Sequence, residues 1–316
     1  MIIVTGGAGF IGSNIIHALN KQGEDDILLV DNLTNGYKMH NIADLNIADY
    51  MDKNEFIERL AQPNFLTHIR GVFHQGACSA TTEWDGHYIM ANNYDYSKRL
   101  LTWCQTKHIP FIYASSASVY GMGENGFSVD RNCEKPINMY AYSKFQFDQY
   151  VRRILPRANS QIVGLRYFNV YGSREQHKGS MSSTPFHFNN QLLAADEVKL
   201  FAGCDGYADG EQQRDFVYVN DVVAVNLWFL ENSHKSGIFN VGTGKAQTFN
   251  TMAQAVVNWH GRGKISYIPF PEHLKGAYQS FTEADISSLR AAGYEREFMN
   301  VQQGVTDYLS RLNYRA

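Results

Sequence analysis

Several marks of whole protein classes are scarce in this sequence. There are four cysteines in 316 residues, Cys78, Cys104, Cys133 and Cys204. None stands in a CxxC spacing, so neither a zinc site nor a redox motif is written here. The expectation is free, mostly buried thiols, no metal, and the reducing cytoplasm as location. Net charge is lacking too: 28 Lys and Arg against 31 Asp and Glu leave a formal −3. That balance gives no reason to expect nucleic acid as a partner. No apolar run is long enough to span a membrane. The opening Met1-Ile-Ile-Val-Thr5 has no basic leader and reads as a strand rather than a signal peptide. Internal repeats and low-complexity tracts are missing as well. What remains is an ordinary soluble balance, 44% hydrophobic and 19% charged, in a chain able to bury a sizeable core.

Through the first half, short apolar runs alternate with helix-like stretches. Ile2–Thr5, Ile27–Asp31, Gly71–His74, Phe111–Ser115 and Ile162–Tyr167 predict strands. Phe10–Lys21, Glu83–Lys107 and Tyr140–Ile154 have helical spacing. Parallel neighbours need long crossovers, so this alternation implies βαβ units. The fold class that follows is α/β, with a Rossmann-type doubly wound parallel sheet. After Asn169 the pattern changes. Polar loops at Gly172–Ser183 and Gly203–Gln213 separate shorter signals such as Asp215–Val219 and Gly237–Val241. They predict a second, smaller α/β substrate lobe over residues 171–316. The dinucleotide domain then takes residues 1–170, with segments returning near 215–242.

Gly6, Gly9 and Gly12 are spaced three apart where the first strand turns into a helix. The first permits a tight turn, the second lets the backbone approach a pyrophosphate, and the third lets helix pack on strand. The helix N-terminus offers free N–H groups and partial positive charge to phosphates. Asp31 ends the next strand, where a carboxylate accepts hydrogen bonds from an adenosine ribose. Lys38, just beyond, would neutralise a 2′-phosphate, and Asn32 is a neutral donor. Lys53 is a further basic candidate. An exposed surface lysine is the plain alternative for Lys38.

Tyr140 and Lys144 share one helix face. A neighbouring ammonium favours phenolate, so Lys144 is expected to lower the Tyr140 pKa. The pair can then exchange a proton with a sugar hydroxyl. Ser116 closes the strand Phe111-Ile-Tyr-Ala-Ser-Ser116, at the end where a parallel sheet binds its ligands. Its hydroxyl can hold the same substrate oxygen against Tyr140. Such a YxxxK pair is often just an exposed helical pair. Behind a dinucleotide loop and a serine-ended strand it reads as catalytic.

Four strings together resemble the extended short-chain dehydrogenase/reductases: Gly6-Gly-Ala-Gly-Phe-Ile-Gly12, Ser115-Ser-Ala-Ser-Val-Tyr-Gly121, Tyr140-Ala-Tyr-Ser-Lys144 and Arg166-Tyr-Phe-Asn-Val-Tyr-Gly172. Narrower strings are Gly76-Ala-Cys-Ser79 with Thr81-Thr-Glu-Trp-Asp-Gly86, His177-Lys-Gly-Ser-Met181, and Arg214-Asp-Phe-Val-Tyr-Val219. They resemble the branch of that family that converts ADP-D-glycero-D-manno-heptose to its L-glycero form for lipopolysaccharide cores. The resemblance covers nearly the whole chain and implies NADP, with NAD as the alternative, and a homo-oligomer, pentameric in the relatives. It places cofactor contacts on Phe10, Ile11, Asp31, Asn32, Lys38, Lys53, Gln75, Gly76, Ala77, Cys78, Ser79, Asn92, Lys144, Val170 and Lys178. It places substrate contacts on Ser116, Asn169, Ser180, His187, Phe201, Ala202, Gly203, Cys204, Arg214 and Tyr278. Tyr140 and Lys178 become the two acid/base residues, acting on opposite faces of C6 through a transient 6-ketone. From the residues alone Lys178 also reads as a phosphate- or ribose-holding lysine. Gln75 stands where relatives often carry Glu, and Ser173 where they carry Pro.

Two other functions fit the same strings. One is another nucleotide-sugar enzyme, a 4-epimerase or a 4,6-dehydratase. A dehydratase would want a carboxylate beside the catalytic hydroxyl, and Ala117-Ser118 supplies none. The other is a non-catalytic NAD(P)-sensing binding protein, for which Ser116, Tyr140 and Lys144 need not all be kept.

Overall fold

The structure, a computed structural model, describes residues 1–272 and 278–313. In chain order the elements are β1 (Ile2–Thr5), α1 (Phe10–Lys21), β2 (Ile27–Asp31), β3 (Asp49–Asp52), α2 (Lys53–Arg59), β4 (Gly71–His74), α3 (Gly86–Ile89), α4 (Tyr96–Thr106), β5 (Phe111–Ser116), α5 (Met139–Ile154) and β6 (Ile162–Tyr167). They continue with β7 (Asn169–Tyr171), α6 (Thr184–Ala195), β8 (Glu197–Phe201), β9 (Gln213–Arg214), β10 (Phe216–Tyr218), α7 (Val219–Glu231), β11 (Gly237–Val241), β12 (Gln247–Thr248), α8 (Phe249–His260), β13 (Lys264–Ile268), α9 (Ser287–Ala291) and α10 (Val301–Leu312).

The chain forms two compact units. The first comprises Met1–Val119, Pro136–Tyr167 and Val223–Phe239. The second comprises Tyr120–Lys135, Phe168–Val222 and the described part of Asn240–Ala316.

The first unit is built on a seven-stranded sheet of order β11-β6-β5-β4-β1-β2-β3. β1 pairs parallel with both β2 and β4, and the parallel ladder continues through β3, β5 and β6. β1, β2, β4 and β6 are buried at every position, as strands covered on both faces must be. The strand order reverses between β1 and β4. That reversal is the point where doubly wound sheets bind ligands, outside their carboxyl ends. Thr5, Asp31, His74, Ser116 and Tyr167 end their strands on that edge. The expected doubly wound fold is thus present.

Some local expectations change. The helix read as Glu83–Lys107 is interrupted by a π-helical stretch, Met90–Asp95, which separates α3 from α4. β3 gives no clear signal in the sequence because it is an edge strand, with Asp49 and Tyr50 exposed. The strand read as Asp215–Val219 shortens to β10, because Val219 opens α7.

In the second unit the strands form three two-stranded sheets. β7 pairs with β10 and β8 with β13 in parallel, and β9 pairs with β12 antiparallel. α8 packs between α6 and α10. α10 starts from a capping box, with Asn300 and Gln303 each bonding the other's backbone, which satisfies two otherwise orphaned N–H groups.

Candidate active site

The glycine turn shows why its residues must lack a side chain. Gly6 sits at φ 67°, and a Cβ there would lie 2.5 Å from the backbone nitrogen of Gly76. So Gly6 allows the loop after β4 to pass directly over the turn. A Cβ on Gly12 would sit far inside van der Waals distance of the Gly6 carbonyl oxygen. Gly9 caps α1 without a side-chain bond. The first-turn N–H groups of α1 therefore have no capping side chain in their way, which is the cradle a pyrophosphate needs.

Asp31 is 6% exposed and both its oxygens are engaged. Oδ2 accepts the Ala8 N–H at 2.9 Å, and Oδ1 accepts Lys38 Nζ at 2.9 Å. Lys38 also reaches the Asn32 carbonyl at 3.3 Å. Asn41 closes the same corner by donating to the Ala8 carbonyl. A few residues along, Lys53 Nζ donates to Asn92 Oδ1 at 2.5 Å. Asp31, Asn32 and Lys38 thus form one cluster, and Lys53 and Asn92 a second. Gln75 ends in a neutral network, donating to Asn226 and accepting from the Tyr167 hydroxyl.

Ser116 and Tyr140 face each other across β5 and α5. Asn138 caps α5, its side chain accepting the Ala141 N–H at 2.8 Å, and so sets where Tyr140 leaves the helix. Lys144, one turn on, is 5% exposed and donates to the Ala114 carbonyl of β5 at 2.7 Å. Burial pushes its pKa down to about 8, with Asp148 pulling the other way. Tyr140 departs from expectation. Burial raises its pKa, the Ser116 hydrogen bond opposes that, and Cys78 adds to the rise. Of the two neighbours expected to favour the ionised phenol, it is the Ser116 hydrogen bond that opposes the rise, while Lys144 has one of its three N–H donors on the Ala114 carbonyl.

Behind these residues runs a buried polar chain that the sequence reading missed. His74 lies between the Thr5 hydroxyl at 2.6 Å and the Ser97 hydroxyl at 2.8 Å. Ser97 donates to the Asn93 carbonyl. Asn93, in the π-helical stretch, accepts the Cys78 N–H, donates to the Cys78 carbonyl, and donates to Ser143. Ser143 donates in turn to the Tyr140 carbonyl. One amide therefore ties the Gly76–Ser79 loop to the start of the Tyr140 helix. The π-helix was the available clue, but it is a property of backbone hydrogen bonding that no residue pattern announces.

In the second unit, Asn169 and Val170 open β7 beside Phe216 and Val217. Lys178 and Ser180 lie on the 3₁₀ turn Gln176–Met181. Burial lowers the Lys178 pKa, and Glu175 opposes it. His187 sits on α6, its ring 5.9 Å from Phe186. Phe201, Cys204, Arg214 and Tyr278 come together. The Arg214 guanidinium lies over the Tyr278 ring at 5.0 Å, and the Phe201 and Tyr278 rings are 6.4 Å apart. Gln212 bridges the Ala202 carbonyl and Cys204 Sγ. Gly203 donates to Asp209, and a Cβ on it would collide with the Tyr207 carbonyl. The contiguous run from Phe201 to Cys204 is therefore a folded loop set against Arg214 and Tyr278. His187 and Ser180 belong to other elements, α6 and the 3₁₀ turn before it.

Known proteins resemble this chain over nearly its whole length. The family model described as the NAD dependent epimerase/dehydratase family matches residues 2–242. The chain is 59% identical over 309 residues to the ADP-L-glycero-D-manno-heptose-6-epimerase of Alkalilimnicola ehrlichii, covering 98% of this chain and 96% of that one. Among solved structures it is similar to the Helicobacter pylori ADP-L-glycero-D-manno-heptose-6-epimerase, with TM-score 0.85, 31% identity, and 98% and 95% of the two chains covered. It is also similar to the Thermus thermophilus UDP-glucose 4-epimerase solved with NAD, with TM-score 0.78, 26% identity, and 98% and 97% covered.

Proposed function

The chain belongs to the NAD dependent epimerase/dehydratase family, and from that premise we propose that it inverts C6 of ADP-D-glycero-D-manno-heptose to give the L-glycero form. The observation that carries the reading is Ser116 bonded to Tyr140, one turn from Lys144, in a chain 59% identical to a heptose 6-epimerase. Serving lipopolysaccharide synthesis, it would work in the cytoplasm as a homo-oligomer, a pentamer by the family resemblance.

The residues present fit a nicotinamide dinucleotide. Gly6, Gly9 and Gly12 leave the cradle that any Cβ would fill. Gly76, Ala77, Cys78 and Ser79 form the loop that passes over it, with Phe10 and Ile11 opening α1. When bound, the cofactor supplies a hydride acceptor that later gives the hydride back. We assign NADP rather than NAD. The Lys38 salt bridge cancels the Asp31 charge, so a 2′-phosphate meets a neutral pair plus Lys53 instead of a bare carboxylate.

The side chains then divide the work. Ser116 holds the C6 oxygen. Tyr140 takes the proton from that oxygen as the carbonyl forms and returns it for one orientation. Lys144 holds α5 against β5. Lys178, already inclined by burial to lose its proton, serves the other orientation. Arg214 offers paired donors to the diphosphate, with Asn169, Ser180, His187, Phe201 to Cys204 and Tyr278 around the sugar nucleotide.

The test is incubation of purified protein with ADP-D-glycero-D-manno-heptose, followed by NMR without added cofactor. The expected result is conversion to the L-glycero epimer, lost in Tyr140→Phe. Inversion of UDP-glucose at C4 with no action on the heptose would replace this reading with the 4-epimerase one. Cofactor binding with no turnover of any sugar nucleotide would leave a sensor.

A further inference from the structure

We propose that Glu175 is a positioning residue that holds the Gly172–Ser183 loop in the form that presents Lys178. This rests on Lys178 acting as the second acid/base, and adds what sets its place.

Glu175 is fully buried, and its carboxylate joins the two ends of the loop. Oε1 accepts the Gly172 N–H at 3.3 Å and the Ser183 hydroxyl at 2.6 Å. Oε2 accepts the Ser183 N–H at 2.5 Å. Its main-chain carbonyl accepts the Ser182 hydroxyl at 3.1 Å and the Lys178 N–H at 2.9 Å. One residue thus bonds the first residue of the loop, the last two, and the lysine between them.

Two further features show that the form of this loop has to be imposed by a side chain turned into it. Arg174 has φ 73° and Gly179 φ 56°, and a non-glycine residue in the left-handed region keeps that conformation only where its surroundings impose it. Ser183 is the N-cap residue of α6, yet its side chain makes no cap bond to that helix. A serine there ordinarily satisfies an orphan N–H. Here its hydroxyl goes to Glu175 instead. The Glu175 charge also lies near the positive end of α6, where a carboxylate is favoured. The same charge opposes the burial that lowers Lys178, so Glu175 bears on both the place and the protonation of that amine.

Glu175→Gln keeps the shape but turns one acceptor into an NH₂ group facing a donor. The experiment is a double-mutant cycle of Glu175→Gln with Lys178→Met, measuring kcat and KM on the heptose substrate. Hydrogen exchange of the 172–183 peptide is read alongside. Glu175→Gln should lower kcat on the order of 10- to 100-fold, since small misplacements of a reacting group cost that much. KM should change little, and exchange in the loop should quicken. In the Lys178→Met background the same substitution should cost nothing further, because the group it positions is gone. An unchanged kcat in Glu175→Gln overturns the proposal. So does an equal loss in both backgrounds, which would make Glu175 a purely structural residue. A Lys178→Met enzyme with wild-type kcat is a different result: it removes the acid/base reading of Lys178, and this proposal with it. Should Glu175→Gln fail to fold, Ser183→Ala removes one bond to the carboxylate and enters the same cycle, with a smaller kcat loss expected only where Lys178 is present.

Discussion

His74 should make this protein sensitive to mild acid, by an amount the structure lets us work out. Its ring is 3% exposed, stacked between Tyr96 and Phe111 at 5.9 Å and 5.6 Å, with both nitrogens bonded to hydroxyls. Burial and the nearby Lys144 charge push its pKa from 6.5 down to about 3. An unfolded chain protonates this histidine near 6.5 while the folded one keeps it neutral. Between pH 6.5 and about 3 the unfolded state therefore binds more protons, and stability falls as pH falls. Each pKa unit is worth about 1.4 kcal/mol, so the step from pH 7 to pH 5 costs roughly 2 kcal/mol through this one group. His74→Gln retains a donor and an acceptor for Thr5 and Ser97 but has nothing to titrate. It should be less stable than wild type at pH 7, because the ring packing is lost. Its further loss on going to pH 5 should be smaller than wild type's by about 2 kcal/mol. Equilibrium urea unfolding of both proteins at the two pH values measures this directly. Parallel losses in the two proteins would show that His74 is not held neutral, and would undo the argument.

Other expectations follow from the same geometry. Gly12→Ala forces a Cβ onto the Gly6 carbonyl oxygen, so it should lose bound dinucleotide and about 1–3 kcal/mol of stability; wild-type cofactor content on the purified variant would contradict this. Asp148→Asn alters the buried carboxylate shared by Tyr113, Ser115 and Arg166, and leaving Arg166 without its partner charge should cost about 3–5 kcal/mol in denaturant unfolding. Lys144, at about 8 when folded against 10.5 unfolded, binds fewer protons folded across that interval. Its contribution to stability should therefore grow as pH rises from 8 to 10.5, and that rise should be missing in Lys144→Met. Lys38→Ala should weaken NADP far more than NAD in a binding titration, whereas equal losses would separate Lys38 from the 2′-phosphate.

What the sequence made legible is local. The first strand, turn and helix could be placed from residues 2–21 because nearly every requirement lies within a few residues. Buried strands read as apolar runs, and Gly9 and Gly12 answer to the nearby Gly6 carbonyl, although Gly6 itself also answers to the distant Gly76 backbone. Tyr140 and Lys144 were found for the same reason, since a helix puts residues four apart on one face. The resemblance then extended the list to residues such as Asn92, which no spacing would have singled out.

What stayed hidden is the set of buried polar residues that act over long separations. Asp148 takes a bond from Tyr113, 35 residues away, and an ion pair from Arg166, 18 residues away. Asp215 holds the Thr243 and Gly244 backbones and the Ala284 backbone, 28 to 69 residues distant. Burial raises its pKa, and those same bonds oppose the rise. Taken singly in a sequence, such a carboxylate looks like any surface acid, because nothing beside it reveals that it is buried. Only the fold supplies its partners, and an unpaired charge there would be far too costly to keep. Glu175 belongs with them, although its partners lie only three to eight residues away. Its loop is irregular, so no helical or strand period marks which side chain turns inward. The residues proposed for the chemistry are thus legible from short motifs. Those that hold the motifs in place become visible only once distant backbone has been brought to them.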